Sequence, residues 1–335
     1  MSSQNRDALF LYGENARIKL KDLASILRKS PQLLKYTLRT LEQDKTVNLP
    51  HTVFDYSYFG LLLFRVYFKG AYISERDKAA ILRELNSNTY VTSVYELEGE
   101  FDLAIEIIAP NPSRFNKELK KVANIIPTLN NYKVLLNVVT HIYPRFYLPR
   151  NPLLLEQGGN EIVIGGDRNI VSFEPNEIAV LHVLLENPKI RISSLAKATK
   201  LNNKTVTTIH KDLQKRKIIR GFKYIIDTSQ LGVYKFRLFL KLHNVSQERE
   251  ADLLSYMLRM KEIIQVNKTV GDWDIEVDIE SLDKARVRFI SLEMRETFKD
   301  ILQSFNIIEF YGWYKRSYLP QYLFEEGKDQ STPKK

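Results

Sequence analysis

One spacing recurs along this chain and limits what it can fold into. Leu23-Ala24 return as Leu195-Ala196, Gly60 as Gly232, Phe64-Arg65 as Phe236-Arg237, and Gly99 with Asp102 as Gly271 with Asp274, each 172 residues later. Chance identities scatter over many offsets. This one holds from Glu14-Asn15 and Glu186-Asn187 to Ile107 and Ile279, so the sequence reads as two tandem copies of one domain-sized unit. A single residue is then gained or lost, because the closing element with Tyr143, Arg145, Tyr147 and Pro149 matches Tyr314, Arg316, Tyr318 and Pro320 at 171.

Within the unit, helices come first. Glu174-Pro175 starts a helix that Asn187-Pro188 stops, Ser193 caps a short second helix, and Asn202 caps a third that reaches about Lys215. At 100° per residue the third helix puts Val206, Ile209, His210 and Leu213 on one face, and Lys204, Thr208, Lys211 and Lys215 on the other. Thr205 borders the second face. The same phases in the first copy place Leu34, Leu38 and Leu41 inward and Gln32, Tyr36, Arg39 and Gln43 outward, with Lys35 beside them. A tight turn between the last two of three short helices is the helix-turn-helix pattern, whose last helix enters a DNA groove. The stretch from Lys217 to Ile226 alternates around Gly221 and predicts a hairpin wing that offers Arg220 and Lys223 to phosphates. The first copy has no wing glycine between Lys45 and His51, so its reading head is expected to be weaker or to read differently.

Strand and helix signals follow in the order β-α-β-β-α-β, which is the ferredoxin-like arrangement with helices on one sheet face. In the third strand of the second copy Ile275, Val277 and Ile279 alternate with Asp274, Glu276, Asp278 and Glu280. Its antiparallel neighbour brings Arg237 opposite that acidic row, and Arg65 and Tyr67 repeat the arrangement against Asp102 and Glu106. Two readings of this polar row stand side by side: cross-strand pairing within a scaffold, and an interface to a second sheet or an effector.

The stretch from Ile192 to Gly221, together with the turns Gly99-Glu100-Phe101-Asp102 and Gly271-Asp272-Trp273-Asp274, resembles the Lrp/AsnC (feast/famine) family of transcription regulators. The resemblance implies an α+β fold made of two tandem copies of a winged helix-turn-helix followed by a βαββαβ sensor domain of the RAM/AsnC type. It implies double-stranded DNA as partner and an intrachain pseudodimer, with a homodimer of whole chains left open. It also implies a small effector such as an amino acid, contacted at Gly99, Asp102, Gly271 and Asp274. On these grounds the expected DNA contacts are Gln32, Lys35, Tyr36 and Arg39 in the first head and Lys204, Thr205, Thr208, Lys211, Arg220 and Lys223 in the second. The expected domains are a first helix-turn-helix over 1–52 and a first sensor over 53–149. A linker hairpin over 150–173, turning at Gly165-Gly166-Asp167, leads to a second, winged head over 174–228. The second sensor spans 229–323, and 324–335 form a disordered tail.

A formal charge of +10 favours a polyanionic partner. The chain has no cysteine, which excludes disulfides and thiolate chemistry, and it shows neither an apolar run of membrane length nor a signal-peptide pattern, so a cytoplasmic location is expected. The histidines at 51, 141, 182, 210 and 243 lack metal-binding spacing, and no nucleophile motif or phosphate loop is present, so no cofactor and no enzyme activity are expected. Two alternatives remain. Sirohaem decarboxylases also join Lrp/AsnC-like units, but their histidine- and arginine-rich stretch is absent from residues 95–102 and 267–274. The other is sequence-neutral chromosome architecture.

Overall fold

The computed structural model describes residues 3–70, 74–125, 131–227 and 231–325. It opens with helices α1 (Ser3–Glu14), α2 (Leu20–Leu27) and α3 (Pro31–Gln43) and strand β1 (Val47–Phe54). Strand β2 (Leu62–Phe68), α4 (Glu75–Ser87), β3 (Val91–Glu98), β4 (Leu103–Ala109), α5 (Pro112–Ile125) and β5 (Tyr132–Ile142) follow. A connecting segment carries the short β6 (Ile162–Gly165). The first order then recurs as α6 (Pro175–Glu186), α7 (Ile192–Thr199), α8 (Asn203–Lys215), β7 (Ile219–Ile226), β8 (Tyr234–Leu242), α9 (Gln247–Leu258), β9 (Ile263–Val270), β10 (Ile275–Ser281), α10 (Lys284–Thr297) and β11 (Leu302–Arg316).

Each βαββαβ half forms a four-stranded antiparallel sheet, β5-β2-β4-β3 in the first and β11-β8-β10-β9 in the second. Their edges do not stay free. β3 pairs with β11 and β5 with β9, so eight strands close into one barrel while β6 extends β5 beyond β2. Closure removes the open edges that would otherwise invite pairing with other chains. The outer sheet faces are covered by helices: Phe64, Ile105 and Ile107 pack with Leu85 and Leu119 in one half, and Ile275, Val277 and Ile279 with Leu253, Val287 and Met294 in the other.

The inward faces meet in the barrel interior, where aromatic rings surround a buried polar network. Arg237 lies opposite Asp278 and donates to it from Nε and Nη2 at 2.6 and 2.7 Å; its Nη1 donates to the hydroxyls of Tyr67 and Tyr95 from the first half at 2.7 Å each. Arg65 lies opposite Glu106, donating to it at 2.8 Å, and also reaches Glu276 and Asn267 of the second half. The polar row is therefore both cross-strand pairing and the contact between sheets. Burial pushes the Glu106 carboxyl up, but the charge of Arg65 outweighs it and holds the group below its ordinary 4.5. Folding thus lowers this acid, so its contribution is present above the unfolded value and is lost as pH falls through the folded one. Urea melts should show stability declining from about pH 4.5 downward, and Glu106→Gln should flatten that decline. An unflattened profile would assign the acid sensitivity elsewhere.

Three expectations are corrected. No hairpin wing forms, because β7 runs unbroken through Gly221 and pairs along its length with β1 of the other half, as in Thr52 with Phe222 and Val53 with Gly221. The linker is not a hairpin either: β6 pairs with β5, and left-handed turns at Gly165 and Gly166 then lead the chain out of the sheet. The second helix of the second head is capped at Arg191, which places Ser193 inside its first turn. The tail expected from 324 lies, beyond Glu325, outside the described residues.

Candidate nucleic-acid interface

Two three-helix heads sit on the β1–β7 ribbon. In each, a residue in the left-handed region, Arg28 or Lys200, closes the second helix and starts the tight turn into the third. The third helices are set by their caps: the Ser30 side chain accepts from the Leu33 amide ahead of Pro31, and Asn202 accepts from the Thr205 amide at 2.8 Å. Leu34 and Leu41 of α3 and Val206 and Leu213 of α8 are buried in a core that runs through both heads. This inner face fixes the outer one. Gln32, Lys35, Tyr36 and Arg39 are exposed, Tyr36 by 72%, as are Lys204, Thr208 and Lys211; Thr205 is half-buried.

The ribbon residues behave differently. Arg220 is partly exposed, but Lys223 is only 7% exposed, and its ammonium pairs with Glu14 of α1 at 2.5 Å. Lys223 does not reach solvent, and the expectation of a phosphate contact there is corrected. Phe222 to Ile226 of β7 are all buried, so both faces of the ribbon are covered by protein along that stretch.

Contacts between the heads are not legible in either head alone. Lys189 bonds to Glu42 and to the Tyr12 hydroxyl, Tyr12 and Tyr224 share a 2.7 Å bond, and Arg17 donates to the carbonyls of Pro188 and Ile190. The two third helices are thereby held in one block. His210, on the packing face of α8, stacks on Phe222, and burial lowers it to about 4, so it is neutral at neutral pH.

The glycine turns are built for closure of the barrel. Gly99 and Gly271 have φ of 129° and 147°, and a Cβ on Gly271 would stand 2.9 Å from the Val134 carbonyl across the seam. On Gly99 it would press on Ile308. The Asp102 carboxylate accepts the Gly70 amide, and Asp274 accepts the Leu242 amide at 2.8 Å and the Lys241 ammonium at 3.1 Å, so each aspartate ties off the neighbouring strand at equivalent positions. Among the described residues, no group of three or more histidine or acidic side chains stands close enough to hold a metal, and no helix is long and apolar enough to cross a membrane.

No family model matches the chain. It is similar to the HTH-type transcriptional regulator FL11 of Pyrococcus abyssi (strain GE5 / Orsay), with 26% identity over 139 residues, 42% of this chain and 85% of that protein. The regulator of the same name from Pyrococcus furiosus is 26% identical over 100 residues, 30% of this chain and 65% of its own length. Of solved structures, the siroheme decarboxylase NirDL covers 95% of this chain and 94% of its own with a TM-score of 0.55 and 12% identity, a likeness of fold alone. In sequence the chain is thus similar to helix-turn-helix transcription regulators over less than half its length, and in fold to a decarboxylase over nearly all of it.

Proposed function

We propose that this protein is a DNA-binding transcription regulator of the Lrp/AsnC type, whose two tandem units act as an intrachain pseudodimer with unlike reading heads. The observation that carries the reading is the pair of exposed polar stripes on α3 and α8, presented together by a ribbon that contains one strand from each half. Lys204, Thr205, Thr208 and Lys211 of α8 are assigned most of the contact, with Arg220 flanking; Gln32, Lys35, Tyr36 and Arg39 form the first head. Phosphate contacts set affinity, and groove-facing polar groups set specificity. Gly99, Asp102, Gly271 and Asp274 help to close the barrel, and a small effector such as an amino acid is assigned to the same turns.

Unlike heads on one chain favour an asymmetric site, whereas two copies of one head favour a dyad. Selecting bound duplexes from a random pool should enrich a nonpalindromic sequence. A palindrome would indicate that whole chains pair on DNA, and no enrichment over competitor would favour sequence-neutral binding. A change in the visible spectrum on titration with an iron tetrapyrrole, without duplex binding, would replace the regulator by the decarboxylase reading.

A further inference from the structure

Between the β1–β7 ribbon and the mouth of the barrel lies a small cavity lined by residues of both halves. It straddles the relation between the two halves, since His51 and Lys223 are equivalent residues of the two ribbon strands and Arg145 and Arg316 are equivalent residues of the two closing elements. One wall breaks the equivalence. Lys235 and Glu280 stand where the first half has Leu63 and Ile108.

We propose that this cavity binds a small organic monocarboxylate with an apolar body, its carboxylate held by Lys235 and its body against Phe310 and Trp313, with Arg316 on the far side of the indole. Lys235 is 9% exposed, and its ammonium, which has three hydrogens to donate, makes one bond among the described residues, to the Ile226 carbonyl at 3.3 Å. Arg316 lies over the Trp313 ring at 4.2 Å and gives one nitrogen to Gln265 and Tyr318.

The charges in and beside the cavity balance, since Arg65, Arg145, Lys223, Lys235, Arg237 and Arg316 face Glu14, Glu106, Glu276, Asp278, Glu280 and Asp227, and His51 is neutral at neutral pH. The preference for an anion rests on the Lys235 hydrogens that have no acceptor among the described residues. Asp278 accepts twice from Arg237, whereas Glu280 accepts from Arg145 and Tyr147 on one oxygen, Oε2, and keeps Oε1 for a further donor.

The chain has two tryptophans, so Trp313 becomes the sole indole reporter in a Trp273→Phe background. Full-length protein of that background is titrated with isovalerate, hexanoate and phenylacetate, and with the three matching amides. At least one carboxylate should change Trp313 emission saturably while its amide does not, and Lys235→Met should weaken that binding about tenfold or more. No response to any carboxylate, equal response to an amide, or unchanged affinity in Lys235→Met would overturn the assignment. A link to transcription rests on the regulator reading and is read separately: the carboxylate that binds should shift duplex affinity, because the cavity floors the ribbon that carries both heads. Carboxylate binding with an unshifted duplex titration would sink the link and keep the site, whereas failure of all duplex binding would sink the regulator reading alone.

Discussion

Arg237→Ala is expected to lose about 3–5 kcal/mol of stability, the usual cost of removing one partner from a buried ion pair. Arg237 is wholly buried at 0% exposure, and four of its bonds end on Asp278, Tyr67 and Tyr95. Without the guanidinium, Asp278 would be left in the barrel interior facing no cation across the strand, and the two tyrosine hydroxyls would lose their donor. The guanidinium also lies over the Tyr95 ring at 4.9 Å, so the change removes packing as well as charge. A denaturant midpoint lowered without a change in slope is the expected signature.

The size of that loss does not measure how much the pair stabilises the fold. Much of it is the cost of leaving Asp278 ionised and alone, so replacing both groups by Arg237→Met with Asp278→Leu should restore most of the midpoint. If the double variant is as unstable as the single one, packing by the arginine outweighs its charge. The exposed pair of Arg249 and Asp300 is the control, and breaking it should barely move the melt.

The cross-strand half of this network is legible in the amino-acid sequence. Residues 65 and 237 carry arginine at equivalent positions and 106 and 278 carry acids, and alternation places all four on one sheet face. What the repeat cannot supply is where the halves differ. Glu276 stands opposite Ala104 in the alignment of the two units, and Asn267 opposite Tyr95, yet both bind Arg65 across the barrel. Pairing between halves is set by tertiary geometry, and a strand edge carries no local mark of its partner. For the same reason the residues of β7 suggest a wing. A glycine within an alternating run fits a hairpin and a continuous strand equally well; β1 decides for the strand, and Glu14 of α1, distant in the chain, takes up the Lys223 ammonium. The third helices are legible because a 100° phase with two capping residues fixes the outer face without reference to anything distant.

That outer face leads to the second large effect. Lys204→Ala with Lys211→Ala should flatten the plot of log affinity against log salt by about 2 units, since each lysine that neutralises a phosphate releases ~0.9 of a counterion. At 0.15 M salt this corresponds to duplex binding about 30-fold weaker. Both lysines are exposed on α8, and neither is among the residues that pair with a described neighbour, so their removal should leave the fold and its melt unchanged. The slope separates roles that affinity alone would merge: Gln32→Ala in the first head, which takes away no charge, should leave the slope intact and change which sequences are enriched. An unchanged slope in the double lysine variant would remove α8 from the interface. The exposed Lys35 and Arg39 would then be the stripe to test, and the first head, not the second, would carry the reading of DNA.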